Sequence, residues 1–424
     1  MLIVLVGMSE FCRWMGIAIE DSKRDGRSHR KLTVIGVSVC IGFLGVFKYF
    51  NFFATSFMDL CDMIGVKCSN ITIEIVLPLG ISFFTFRGIS YLVDISRSQL
   101  KAERSFARFS AYFAFFPQLF AGPIVRASEF MPQMEKMSDR YWKISVHDFI
   151  SGASMFAWGA VMKVAMADTL APVVDMKFAA WQFASSADVS IGVLFYAFQI
   201  YGDFAGYSLM SLGVARIMGF KFGDNFCRPY FSISFQEFWR KWHISLSTWL
   251  RDYLYIPLGG SRNGHIHRNL FLTMLIGGLW HGANWNFVLW GVGHGALLCL
   301  ERPLLKLSCC SVPVKVIKCI GVFTCVMLLW IFFRAATLNQ ALGVLSKIAH
   351  IFTNPGSLTG MFQIARGLMI IALIIGGDVA VSFMQRRNIA ISKSWVSGLY
   401  VGMCIVIILL FGSFQGNSFI YQQF

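Results

Sequence analysis

The chain has 424 residues, of which 56% are hydrophobic, 16% aromatic and only 14% charged, with a mean hydropathy of +0.62. A soluble domain carries about a quarter charged residues, so a water-soluble globular fold is excluded and an all-α, multi-span membrane protein is expected. The net charge of +15 does not point to nucleic acid: Lys and Arg lie mainly in short links between apolar runs, as cytoplasmic loops do, and no groove-reading motif accompanies them.

The first run, MLIVLVGMSEFCRWMGIAIE, lacks a basic leader and a small-residue cleavage site, so it reads as a first membrane helix carrying Glu10 and Arg13 rather than a signal peptide. The link Glu20–Lys31 holds five Lys/Arg against three acids and is placed inside. Leu32 to about Met58 is the next span, and Asp59–Thr72 an outside loop in which Cys61 and Cys68 leave a disulfide open. Ile73–Ile95 is expected to cross back, interrupted by Pro78 and Gly80 and carrying Arg87; Ser96–Phe109 is basic, hence inside. Ala111–Val125 is short and broken by Pro and Gly, which suits a re-entrant segment whose irregular backbone is surrounded by protein or water.

Arg126–Phe149 is polar and amphipathic. Ile150–Ala171 and Val189–Gly213 are apolar enough to span, and the second holds Gln199, Tyr201, Asp203 and Tyr207; Lys221–Gln236 is a polar link. Beyond residue 302 the pattern predicts a basic loop at Arg302–Lys318, a span over most of Cys319–Phe333, a surface segment at Ala335–Phe362, and spans at Gly367–Met384 and Trp395–Phe414. Eight to ten membrane elements and one domain, 1–424, are expected, with the tail 415–424 outside. No zinc-type CxxC spacing occurs and no metal ligand set is expected.

Phe238–Arg302 concentrates the chemistry. Trp239, Trp242, Leu246, Trp249 and Tyr253 recur at steps of 3, 4, 3 and 4, one apolar face of a helix, with His243 at its edge. A loop, IPLGGSRNGHIHRN, follows; its Arg262 and Arg268 could receive phosphates. Leu270–Leu300 is apolar apart from Asn284, Asn286, His281 and His294. An ionisable group in a membrane segment is a functional candidate because desolvation is costly. Apolar surroundings favour a neutral imidazole, and a neutral imidazole is a competent general base. On an unbroken helix, thirteen residues would separate the two histidines by about 20 Å on nearly opposite faces. From chemistry alone His281 reads equally as a base or as a packing residue, and His294 as packing.

Several strings resemble the membrane-bound O-acyltransferase family, most closely the bacterial branch typified by the alginate O-acetyltransferase membrane subunit. They are LPLGISFFTFRGISYLVD (Leu77–Asp94), FFPQLFAGPIVRASEFMPQ (Phe115–Gln133), QIYGDFAGYSLMSLGVARIMGF (Gln199–Phe220), SFQEFWRKWHISLSTWLRDYLYIPLGG (Ser234–Gly260) and GGLWHGANWNFVLWGVGHG (Gly277–Gly295). The family core is placed at 76–302. The resemblance implies a ring of tilted transmembrane and re-entrant helices around a tunnel. It also implies an essential histidine in the Trp-His-Gly string at His281 and a second functional histidine at His243; substrate contacts are expected at Trp280, Asn284, Arg262 and Arg268. Some members end in an aromatic motif whose tyrosine takes the acyl group; the match here is Tyr421, followed by Gln422 where Phe is usual. The branch usually carries another apolar segment before the stretch matching Met1–Ile19, so a shortened N-terminus is expected.

The function implied is transfer of an acetyl group from cytoplasmic acetyl-CoA, with no bound cofactor, across a bacterial inner membrane towards an extracytoplasmic polysaccharide. An esterase-like partner outside the membrane would complete the transfer. The alternatives are a D-alanyl transfer subunit and a non-enzymatic polysaccharide transporter or scaffold; no internal repeat of the transporter kind is visible.

Overall fold

The computed structural model describes residues 2–74, 77–78, 80–119, 122–137, 143–262, 264–303, 311–386 and 394–414. Among the described residues every regular element is helical, and six helices are long and apolar enough to cross a membrane. The chain divides into two compact units.

The first unit holds residues 1–120, 124–143 and 282–284. Its helices are α1 (Leu2–Arg24), α2 (Arg30–Met63, with a π turn at Gly45–Tyr49), α3 (Ile81–Ser96), α4 (Phe106–Phe113) and α5 (Ala127–Met137). In α1, Arg13 pairs with Glu10 one turn away at 2.8 Å, which lets an apolar helix carry both charges. Helix α2 runs five residues past the expected end, and Cys61 and Cys68 are unbridged thiols.

The span expected over Ile73–Ile95 is instead the 16-residue α3. Pro78 lacks an N–H, and Gly80 has φ 78°, a left-handed conformation that ends helical propagation. A Cβ at Gly80 would also lie 2.5 Å from the Leu119 carbonyl oxygen, so only glycine fits. Nearly all of α3 is buried, and it forms the centre of this unit.

Arg87, in the middle of α3, is 1% exposed. Its guanidinium donates to the carbonyls of Tyr112 and Phe113, each at 3.1 Å, and of Gln118 at 2.8 Å. These are end carbonyls of α4 and of the irregular stretch after it, groups that a helix cannot satisfy itself. The arginine therefore supports the non-helical backbone expected at Ala111–Val125. Arg87→Leu is expected to orphan three buried carbonyls at ~1–3 kcal/mol each. It should lower the thermal midpoint of the detergent-extracted protein sharply, whereas Arg87→Lys, which keeps a donor, should lower it less.

The second unit holds residues 121–123, 144–281 and 285–424. It contains α6 (Val146–Ala179, with a π turn at Val161–Ala167), α7 (Ser186–Ile217), α8 (Phe235–Lys241) and α9 (Ile244–Leu250, continued by a π turn at Arg251–Tyr255). Then come α10 (Ile266–His281), α11 (Trp285–Glu301), α12 (Val312–Arg334), α13 (Leu338–Ala349), α14 (Met361–Arg386) and α15 (Ser394–Phe411).

Helices α6 and α7 both start on a serine that accepts from an aspartate N–H three residues on: Ser145 from Asp148 at 3.0 Å, and Ser185 from Asp188 at 3.1 Å. That is the favoured N-cap arrangement. The two helices then meet through glycines. A Cβ on Gly159 would lie 2.6 Å from the Gly206 carbonyl oxygen, and one on Gly213 2.6 Å from that of Gly152. Small residues of this kind let membrane helices approach closely.

That approach buries an ion cluster. Lys163, inside the π turn, lies 2.6 Å from Asp203 of α7 and 2.8 Å from Asp168. Asp203 stood out in the sequence, whereas its cationic partner did not. The π turn also presents the Val164 carbonyl to the N–H of Ser413 at 3.1 Å, which fastens the chain just after α15.

Candidate active site

His281 is the last residue of α10. The apolar stretch Leu270–Leu300 is not one unbroken helix: α10 ends at His281 and α11 begins at Trp285. Gly282 follows the last turn, and Asn284, a residue type that favours helix starts, immediately precedes the next helix. The two helices lie against each other through glycine. A Cβ on Gly278 would be 2.4 Å from the Phe287 carbonyl oxygen, and one on Gly291 2.5 Å from that of Met274.

The reversal removes the wide separation that an unbroken helix would impose on the two histidines. The His281 ring is 4.9 Å from that of Trp290, and His294 stands 4.6 Å from the same indole. His281 is 3% exposed and is also edge-on to Trp280 and Phe333. His294 is fully buried against Trp239, Trp290 and Phe238. Neither of its ring nitrogens has a hydrogen-bond partner among the described residues, and its ring contacts are with aromatic side chains.

The helix expected across Phe238–Ile256 is broken at the second histidine. Helix α8 ends at Lys241, and His243 takes φ 43°, ψ 56° before α9 begins. A left-handed backbone is uncommon outside glycine. Tertiary hydrogen bonds hold it here: the Cys227 N–H donates to the Lys241 carbonyl and the Ile244 N–H to the Asn225 carbonyl, both at 2.9 Å. The aromatic face survives the break, with Trp242, Leu246 and Trp249 all buried.

His243 is fully buried, between Phe204 at 4.6 Å and Trp280 at 6.0 Å ring to ring. The Trp280 ring therefore neighbours both candidate catalytic histidines. Burial lowers the His243 imidazole to about 3, so the ring is neutral at physiological pH.

Two cavities flank this centre. One, of about 350 Å³, is lined by Trp239, Arg240, Ile244, Arg251, Met274 and Arg302; Trp239 continues to His294. The other, of about 520 Å³, is lined by Trp158, Tyr201, Asn225, Phe226, Arg228 and Asp378. Arg262 and Arg268 are exposed, and the adjoining Ser261 lines the smaller cavity. Asn284 is exposed and belongs to the first unit. Tyr421 lies outside the described residues. Among the described residues no three His, Cys, Asp or Glu side chains gather as a metal-ligand group.

The sequence profile of the membrane-bound O-acyltransferase family, MBOAT, matches residues 44–339, a range that contains both histidines, both cavity-lining arginine groups and the Lys163 cluster. The chain belongs to the membrane-bound O-acyltransferase family. With its six apolar helices it is a multi-pass membrane protein of a bacterial branch, and the activity that goes with membership is O-acyl transfer.

Individual relatives of this O-acyltransferase agree. Over 382 residues the chain is 39% identical to a Pseudomonas aeruginosa protein named probable alginate O-acetylase AlgI, covering 88% of this chain and 71% of the relative. Over 451 residues it is 32% identical to a Helicobacter pylori peptidoglycan O-acetyltransferase, covering 99% and 81%. A Streptococcus thermophilus teichoic acid D-alanyltransferase is 28% identical over 272 residues, covering 60% and 65%. Across the alginate relatives the chain spans between 53% and 71% of their length.

Sequence reasoning passed over Arg240, Arg251 and Arg302 as cavity-lining groups and Asn225 as the partner of His243. The arginines are scattered over 63 positions and meet only in the fold. Asn225 sits in what reads as a plain polar link.

Proposed function

We propose that this O-acyltransferase uses His281 as general base to acylate a hydroxyl with acetyl from acetyl-CoA, for O-acetylation of an extracytoplasmic glycan. The observation that carries the reading is the buried imidazole of the Trp-His-Gly string at the end of α10, two turns beyond Met274, which lines the arginine-bearing cavity. Arg240 and Arg302, with Arg262 and Arg268 on the adjoining loop and helix start, supply cations for the phosphates of the donor; Arg251 is paired with Asp252 at 2.6 Å, and Glu301, which also lines the cavity, is occupied by the backbone N–H groups of Phe235 and Gln236. A hydroxyl is a poor nucleophile until a base takes its proton. His281 takes that proton, the oxygen attacks the thioester carbonyl, and the departing thiolate recovers the proton as free thiol.

The Tyr421 hydroxyl is the proposed first acceptor, and a separate extracytoplasmic esterase-like partner passes the acetyl group to the polysaccharide. The names of the alginate and peptidoglycan relatives favour acetyl over D-alanyl, and favour a transferase over a transporter. Membranes containing the full chain, incubated with acetyl-labelled CoA, should yield a C-terminal peptide 42 Da heavier at Tyr421, the mass of an added acetyl group. Labelling only from a D-alanyl carrier would shift the assignment to D-alanyl transfer. A Tyr421→Phe protein that still acetylates at the wild-type rate would remove the tyrosine from the route.

A further inference from the structure

The second histidine admits two opposite roles. It could donate a hydrogen bond to the thioester carbonyl, or it could accept one from a substrate N–H or O–H. Which nitrogen carries the proton decides between them.

The decision begins at Asn225, which is 1% exposed. Its Oδ1 accepts from the backbone N–H of Ser245 at 3.2 Å and from the Ser245 hydroxyl at 2.8 Å. Its Nδ2 donates to the Ser208 hydroxyl at 3.0 Å. Amide nitrogen and oxygen are told apart only by their partners, and a backbone N–H can only donate. The atom facing Ser245 is therefore the oxygen. That same oxygen lies 3.2 Å from His243 Nδ1. The Ser245 hydroxyl also lies 3.5 Å from Nδ1, but its one hydrogen goes to the nearer Oδ1 at 2.8 Å; a carbonyl oxygen only accepts, so Nδ1 carries the hydrogen. A neutral imidazole has one ring hydrogen, which leaves Nε2 with a bare lone pair. Nε2 is buried and has no hydrogen-bond partner among the described residues. An unsatisfied buried acceptor is costly, and a substrate donor would relieve that cost.

The backbone supports the same reading. His243 sits in a left-handed conformation kept by two bonds from the segment that carries Asn225. Strain of this kind persists only where the surroundings over-determine it, and it clusters at functional sites. The arrangement delivers one nitrogen of one ring in one tautomer.

We infer that His243 meets the substrate as a hydrogen-bond acceptor through Nε2, and that Asn225 is the positioning residue holding it in the Nδ1–H tautomer. The inference rests on the O-acyl transfer reading for its substrate, though not for its tautomer. It assigns His243 to an amide N–H of the donor's pantetheine arm, because His281 takes the single hydrogen of the acceptor hydroxyl. The oxygen that gains charge during attack must find its donors elsewhere.

The test uses the full chain in lipid vesicles with ¹⁵N-labelled histidine. The His243 signals are identified by subtraction of the His243→Gln spectrum in solid-state NMR. A protonated Nδ1 with an unprotonated Nε2 is expected; a protonated Nε2 in the wild-type chain would overturn the inference. This spectrum needs no turnover, so it fails independently of the acyl-transfer assignment. Asn225→Leu, which removes the acceptor, should mix the tautomers and lower transfer by about 10–100-fold, the usual cost of losing a group that orients a functional histidine. Asn225→Asp keeps an acceptor oxygen and should restore both tautomer and rate. Wild-type turnover in the leucine variant would count against the role of Asn225. In His243→Gln, a raised KM for the donor at constant kcat is expected, and a lowered kcat at constant KM would overturn the placement of Nε2 on the pantetheine amide.

Discussion

Replacing His281 by alanine is expected to lower ester formation on the cell-surface glycan by about 10²–10⁴-fold, the usual contribution of a positioned general base, with polymer export unchanged. The other two buried histidines among the described residues are poorly placed to replace it. His294 lies against the same Trp290 ring, yet it is closed in by Trp239 and Phe238. His243 has its Nδ1 on Asn225, and its ring packs against Phe204 and Trp280. Alanine also leaves a void among Trp280, Trp290 and Phe333, so the protein level in the membrane must be measured beside the ester content. His281→Gln, which fills more of that space without a basic nitrogen, should be equally inactive and better folded. Ester content near the wild-type level in both variants would remove His281 from the chemistry.

The second large effect is on folding. Lys163→Met is expected to cost about 3–5 kcal/mol, the range for breaking a buried ion pair by removing one partner. The reason is the charge count: one ammonium lies 2.6 Å from Asp203 and 2.8 Å from Asp168. Without it, two carboxylates face each other between two membrane-crossing helices. Asp203→Asn should cost less, because Lys163 keeps Asp168. A triple replacement, Lys163→Met with Asp168→Asn and Asp203→Asn, should recover part of the loss, because no uncompensated charge remains. Thermal unfolding of the four proteins in one detergent orders them. If the single methionine variant melts with the wild type, the cluster does not hold α6 against α7.

Much of this was legible in the residues. The apolar runs mark the long helices, and the Trp-His-Gly string, through its family resemblance, marks His281 as the candidate base. Serine caps at Ser145 and Ser185 mark helix starts that the hydropathy pattern set four and three residues late.

What escaped was set by distant parts of the chain. Nothing in Arg240–Ile244 breaks a helix; the break at His243 comes from the carbonyl and side chain of Asn225, eighteen residues earlier. Gly282 was visible as a small residue beside His281, yet the chain reversal depends on Gly278 and Gly291 meeting across the hairpin. Arg87 stood out as a charge in an apolar run, but its task is to satisfy carbonyls 25 to 31 residues on. Lys163 went unremarked because its partner Asp203 lies forty residues away, on the next long helix.

The most direct measurement is single-turnover transfer of acetyl from labelled acetyl-CoA by purified chain reconstituted in vesicles, comparing wild type with His281→Gln at equal folded protein. The account predicts that wild-type vesicles convert the thioester label to an oxygen ester within one turnover, while the glutamine variant binds the donor and leaves it intact. Ester formed at the same rate by both proteins would contradict it.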